Sequence, residues 1–237
     1  MNLKFSVTLF LILLSIKSYS QQNKPQIPFI VSEEVINKGT NYHDEEKYTY
    51  AIEEYEKVPL NDTNYGWAMY EKGLSYAADS QWTEAEKALR ECLKMKFYDK
   101  QNVYSLLGST LNDEGKMDEA IEIFQEGLKE FPNYYLLHYN YGITLNKKKD
   151  IAGAIREFQT AIYLNPFHPG SHFQLGLLCY KYNQPVPCLF SFTMYLLLKP
   201  NSPMAVSIML YMQDFAQLKD PQVKPDSGLE HFSLWQK

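Results

Sequence analysis

Glycine returns at nearly even intervals along most of this chain: Gly39, Gly73, Gly108, Gly142 and Gly176 are separated by 34, 35, 34 and 34 residues. A second series, Ala51, Ala85, Ala120, Ala154 and Cys188, keeps the same four steps and always stands twelve residues after the glycine. Two independent small-residue series in phase are hard to produce by chance and mark a chain built of repeated supersecondary units. Glycine inside a helix costs roughly 0.5–1 kcal/mol relative to alanine, so its return five times requires compensation. Close approach of a paired helix supplies it, with the Ala or Cys expected to face the glycine across the contact. The larger residue four positions on (Tyr55, Leu89, Phe124, Phe158, Phe192) is expected to fill the groove beside that contact.

Between the small residues the apolar positions keep helical spacing: Leu107 and Leu111, then Ile121, Phe124 and Leu128; Tyr141 and Leu145, then Ile155, Phe158 and Ile162. Turn formers separate the two halves of each unit, as in Asn112–Asp113–Glu114–Gly115 and in 146–150. Pro132, Pro166 and Pro200 recur at the junctions between units, where each ends a helix. Every unit therefore reads as two helices joined by a short turn. Met204 to Gln217 continues the helical pattern with Val206, Met209, Leu210 and Met212, and is expected to close the last pair.

This pattern resembles the tetratricopeptide repeat. The correspondence is carried by Leu107–Gly108, Leu111, Ala120, Phe124 and Pro132, and by Tyr141–Gly142, Leu145, Ala154, Phe158, Ala161 and Pro166. The unit from about residue 66 has Phe97 in place of the closing proline and one extra residue, which predicts a looser junction. The first unit lacks a junction proline, and the last has Cys188 for alanine and Pro185 and Pro187 at its turn. The resemblance implies an all-α, right-handed superhelical solenoid of about five helix-turn-helix units over 32–202, with a capping helix over 203–217.

Outside the repeats, Lys4 precedes an apolar run from Phe5 to Ile16, and Ser18 and Ser20 precede Gln21–Gln22. This is the pattern of a cleaved secretory signal over 1–20 followed by a linker over 21–31. The run falls well short of the roughly 20 residues that span a bilayer, so no permanent transmembrane anchor is expected. Over all 237 residues, 23 Lys+Arg face 28 Asp+Glu; loss of Lys4 and Lys17 with the signal leaves 21 against 28, a charge of −7. An acidic chain is a poor partner for nucleic acid. The short signal and the abundance of Lys, Asn and Tyr point to a bacterial envelope protein, periplasmic or extracellular. The tail over 218–237 is polar through Gly228 and then carries Leu229, Phe232, Leu234 and Trp235, a segment that is either docked or flexible and open to a partner.

Candidate chemistry is sparse. His168 and His172 are four apart but have Pro169 between them and no accompanying Glu, so a metal site is disfavoured. His138 and His172 occupy equivalent positions and read as packing residues. The chain has no G-x-x-x-x-G-K-S/T, G-x-S-x-G or C-x-x-C motif, and no catalytic residue or cofactor is implied. Cys179 and Cys188 fall in the two helices of one unit, where they are either two buried thiols or a disulfide.

What the resemblance implies instead is a binding surface, because the first helices of such units line a concave groove. Its early part would carry Ile36, Thr40 and His43, then Trp67, Tyr70 and Leu74; its middle, Asn102, Ser105, Ser109 and Asn112; its late part, Leu136, Tyr139 and Ile143, then Phe173, Leu177 and Tyr180. Two apolar patches around a polar saddle suit an extended peptide or an amphipathic helix. The Lys/Asn/Arg clamp by which one subset of the family holds a terminal carboxylate is missing: Ile36, Thr40 and Leu106 stand at its positions, Tyr70 and Leu74 one repeat on, and Asn140 lacks basic companions. The expected function is a non-enzymatic adaptor for envelope proteins, with self-association open; the alternative is a small-molecule or metal-binding module or an enzyme subunit without its own catalytic centre.

Overall fold

In the computed structural model, residues 32–217 apart from 96 and 98 are described. The expected signal, linker and C-terminal tail lie outside these residues. The described chain is all helix and turn, in five antiparallel pairs: α1 (Ser32–Asp44) with α2 (Tyr48–Tyr55), α3 (Tyr65–Ala78) with α4 (Trp82–Leu93), α5 (Lys100–Asp113) with α6 (Met117–Glu130), α7 (Tyr135–Lys147) with α8 (Ile151–Leu164), and α9 (Pro169–Lys181) with α10 (Pro185–Leu198). A last helix, α11 (Ala205–Gln217), has no partner of its own and packs on α10.

The phase of the sequence reappears in the backbone of the turns. Glu46, Ser80, Gly115, Lys149 and Asn183 all have positive φ, between 53° and 91°, and follow one another at the repeat spacing. The next residue's N–H reaches back to a carbonyl five positions earlier in every case: Lys47 to Tyr42, Gln81 to Tyr76, Lys116 to Leu111, Asp150 to Leu145 and Gln184 to Cys179, at 2.8–2.9 Å. This is the Schellman arrangement, which satisfies orphan carbonyls at a helix end and requires a left-handed residue. Only one of the five is glycine, so the geometry is imposed by helix pairing more than by local preference.

Within each pair the glycine is held against a side chain of the second helix. A Cβ placed on Gly108, Gly142 or Gly176 would lie 2.5–2.7 Å from a ring carbon of Phe124, Phe158 or Phe192, and one on Gly73 would lie 2.7 Å from Leu89. Gly39 meets the Tyr55 ring in the same way. The structure corrects the expectation that alanine faces the glycine: the large side chain four residues beyond the alanine or cysteine, a ring in four units and Leu89 in the other, occupies that space. Ala51, Ala85, Ala120, Ala154 and Cys188 are all completely buried. They let the second helix approach the first, and the larger side chain then fills the space at the glycine.

No single core runs through the stack. Three apolar clusters follow one another, around Ile36 and Tyr55, around Leu107 and Phe124, and around Phe158 and Phe192, as expected where each unit touches only its neighbours. Phe97, at the junction without a proline, is buried and stacks on Tyr70 with ring centroids 6.0 Å apart. Consecutive first helices touch: α1 with α3, α3 with α5, α5 with α7 and α7 with α9. Consecutive second helices make no comparable contact. The closer spacing on the first-helix side makes that side concave and leaves the second helices splayed on the convex side.

Candidate functional site

The candidate groove positions lie on the first helices, and most of their side chains are neither core nor fully solvated. Of the twelve groove positions, eleven are half-buried (Trp67, Tyr70, Leu74, Asn102, Ser109, Leu136, Tyr139, Ile143, Phe173, Leu177 and Tyr180), and Ser105 is buried. Among the additional early positions, Ile36 is fully buried in the first apolar cluster and belongs to the core. Thr40 is tied to its own helix through the Ile36 carbonyl at 3.0 Å, and His43 Nδ1 lies 2.8 Å from Ser75 Oγ on the next first helix.

The early patch is rigid. Trp67 Nε1 donates to Glu71 Oε1 at 3.0 Å, and burial pushes the Glu71 carboxyl above its ordinary value. Burial, reinforced by the carboxylates of Glu71 and Asp99, holds the Tyr70 phenol at about 12. The tyrosine therefore presents a neutral, amphipathic ring at any ordinary pH. Such rings supply large contact area at low conformational cost.

The polar saddle is partly spent on holding the repeats together. Asn102 receives the Tyr134 hydroxyl from the next unit and donates to Asp99 at 2.5 Å, while Asn140 Nδ2 donates to Ser105 Oγ at 2.8 Å. Asn112 is buried, and its Oδ1 has no hydrogen-bond partner. The lone Asn140 is thereby explained: it bridges adjacent first helices through a serine.

The late patch divides. Tyr139 stands edge-on to His168 at 4.7 Å between centroids and beside Phe158 at 6.0 Å, which fixes its ring. Phe173 packs on Tyr195 at 5.3 Å. Tyr180 is covered by α11: its ring lies 4.5 Å from Tyr211 and 5.5 Å from Phe215, and its hydroxyl donates to Asp214 at 2.6 Å. The capping helix thus closes the groove at Tyr180, a limit that depends on packing and carries no repeat signal.

The histidines are engaged in structure. His138 Nε2 lies 2.9 Å from the Pro132 carbonyl, and His172 Nε2 lies 2.9 Å from the equivalent Pro166 carbonyl, so each secures the junction ahead of its helix. His168 is the N-cap of α9, its Nδ1 accepting from the Ser171 N–H at 3.2 Å. Burial, with a smaller effect of His172, holds His168 below its ordinary value. Among the described residues no group of three or more His, Cys, Asp or Glu is placed to hold a metal, and no helix is long and apolar enough to cross a membrane. Cys92, Cys179 and Cys188 are free, buried thiols, each pushed up to about 12 by burial.

Sequence reasoning missed a second concavity. On the convex side, between α8 and α10 and floored by α9, lies a cleft of about 580 Å³ walled by Ile155, Ile162, Val186 and Phe190 over Leu175 and Cys179. The signal was present, in that the outer positions of α10 carry no charge, but the gap between second helices depends on superhelical geometry.

Comparison with known proteins places this architecture. Residues 70–135 and 111–171 each match family models described as tetratricopeptide repeat. No curated relative is matched at the level of sequence. Among solved structures, PilF of Pseudomonas aeruginosa is similar at TM-score 0.67 and 17% identity, over 78% of this chain and 84% of that one. MamA from Desulfovibrio magneticus is similar at TM-score 0.58 and 15% identity, over 73% and 97%. YrrB, described as a protein of this repeat class with an unusual peptide-binding site, is similar at TM-score 0.54 and 16% identity, over 82% and 97%. These identities speak to fold alone. With the repeat phase, the contacts at the glycines and the family models in agreement, residues 70–171 are tetratricopeptide repeats, and the helix pairs on either side keep the same phase.

Proposed function

We propose that this protein is a non-enzymatic adaptor, exported to a bacterial cell envelope, whose concave face holds a segment of a partner protein during assembly, secretion or maintenance of an envelope complex. The observation that carries the reading is the pair of half-buried apolar patches, Trp67 and Tyr70 on α3 and Leu136 and Tyr139 on α7, on either side of the polar positions of α5. Aromatic anchors of this kind dominate binding energy when a partner completes their burial. The peptide-binding site described for the similarly folded YrrB is consistent with that use. Export rests on the sequence pattern of Lys4, Phe5–Ile16, Ser18 and Ser20.

A photoreactive amino acid at Ser109, in the saddle between the patches, tests both parts in the native host. Covalent capture of a discrete exported protein, reduced at least tenfold by Tyr70→Ala with Leu136→Ala, is the expected result. Recovery of no adduct beyond the chain itself sinks the groove reading. Retention of residues 1–20 on the purified native protein sinks the export reading independently.

A further inference from the structure

The convex face changes character along the solenoid. At one outer position of the second helices the repeats carry Glu53, Lys87, Glu122 and Arg156, then Phe190; at another, Lys94 and Lys129 give way to Tyr163 and Leu197. α10 contains no charged residue in its fourteen positions. Tyr163, Val186, Phe190 and Leu197 are 85, 76, 59 and 70% exposed, and Val206, Met209 and Leu210 extend the exposed apolar surface onto α11. The cleft between α8 and α10 lies within this face, and no charged residue lines it. Contiguous exposed apolar surface of this kind marks a site that something covers, and the cleft volume falls in the range of about 300–1,000 Å³ typical of binding pockets.

We propose that the chain's own segment Leu229–Trp235 occupies this cleft. It carries four large apolar side chains, Leu229, Phe232, Leu234 and Trp235, and a single acidic one, Glu230, a composition suited to walls without charge. Residues 218–228, which connect it to α11, span up to about 40 Å when extended. α11 itself is about 20 Å long and packs on α10, so the extended connection is long enough to run back along the whole of α11 toward α10. Tethering gives the segment an effective concentration on the order of millimolar, which a second copy of the protein at micromolar concentration does not match. The docked segment leaves the first-helix groove open and converts the apolar end of an acidic solenoid into a covered one.

The test places a photoreactive residue at Phe190 in the purified full chain, with a second variant at Leu197; both positions are exposed, so neither substitution removes a core contact. The expected products are intrachain adducts that map to 229–235, with a yield unchanged on dilution and reduced at least tenfold by Phe232→Ser with Trp235→Ser. Adducts between chains, adducts elsewhere in the same chain, or none from either position overturn the proposal. So does a yield that survives the double substitution. The purified protein contains no client, so the outcome is independent of the groove reading.

Discussion

α6 and α10 hold the same place in their repeats and share almost nothing on their outer faces. Inward, Ala120 and Phe124 of α6 correspond to Cys188 and Phe192 of α10, and all four are completely buried. Outward, Asp118, Glu122 and Lys129 correspond to Val186, Phe190 and Leu197. Ion pairs cross between repeats on the α6 side: Lys116 reaches Glu86 at 2.8 Å, Arg90 reaches Glu119 at 3.4 Å, and Lys148 reaches Asp118. Among the described residues no ion pair lies beyond the His138–Glu157 contact. The inner half of a second helix is therefore fixed by the repeat, whereas the outer half is free and records what surrounds each part of the solenoid.

That division is open to direct attack. Phe124→Ala and Phe192→Ala each remove a fully buried ring and should cost about 3–5 kcal/mol in urea unfolding, similar in the two repeats despite their different outer faces. A Phe192 cost below about 1 kcal/mol would break the equivalence. By contrast, Glu122→Ala, on the exposed outer face of α6, should change stability by no more than about 0.5 kcal/mol, within the range for surface substitutions.

The turns that precede the two helices sharpen the comparison at a smaller scale. The turn into α6 has glycine at its left-handed position, Gly115, and the turn into α10 has Asn183. Gly115→Ala should cost about 1–2 kcal/mol, because a Cβ is disfavoured in that conformation. Asn183→Gly should gain less than that, since asparagine already tolerates it. Equal and opposite effects in the thermal unfolding of the two variants would show that the turns differ in more than this residue.

The smallest expected effect concerns protons. Burial alone lowers the pKa of His138, but the Glu157 carboxylate at 2.7 Å and the Pro132 carbonyl at 2.9 Å outweigh it and hold the imidazolium above its ordinary value. A proton held more tightly by the folded chain contributes stability that is complete below the unfolded histidine value of about 6.5. That contribution is lost as pH rises through the folded value. In the next repeat Ser191 stands where Glu157 does. Glu157→Gln should therefore flatten the decline in stability across neutral pH, and an unchanged slope would remove this pair as its cause.

Much of the fold was legible because the repeat writes each constraint five times. The glycine series, the alanine series and the junction prolines placed the five pairs, and the helical pattern after Pro200 placed the cap. Family models match only 70–171, the units with the most regular signature, while the outer units keep the phase but lose individual residues, such as alanine to Cys188. The candidate groove was laid out as a set of repeat positions through the family resemblance. It was not legible as contacts: Ile36 went to the core, Tyr180 went under α11, and Ser105 and Asn102 became links between units. Periodicity within one helix carries no information about which neighbour a half-exposed side chain meets.

The sequence by itself determined the number of units, their phase and the identity of the buried rings, because local spacing dictates which side of each helix is apolar. Tertiary structure alone decided that a ring or, at Gly73, a leucine rather than an alanine stands against each glycine of the series, that four non-glycine residues adopt left-handed turns, and that a cleft opens between α8 and α10. All three arise from how one helix is set against another. First helices pack closely and second helices splay, and that asymmetry belongs to the assembled stack.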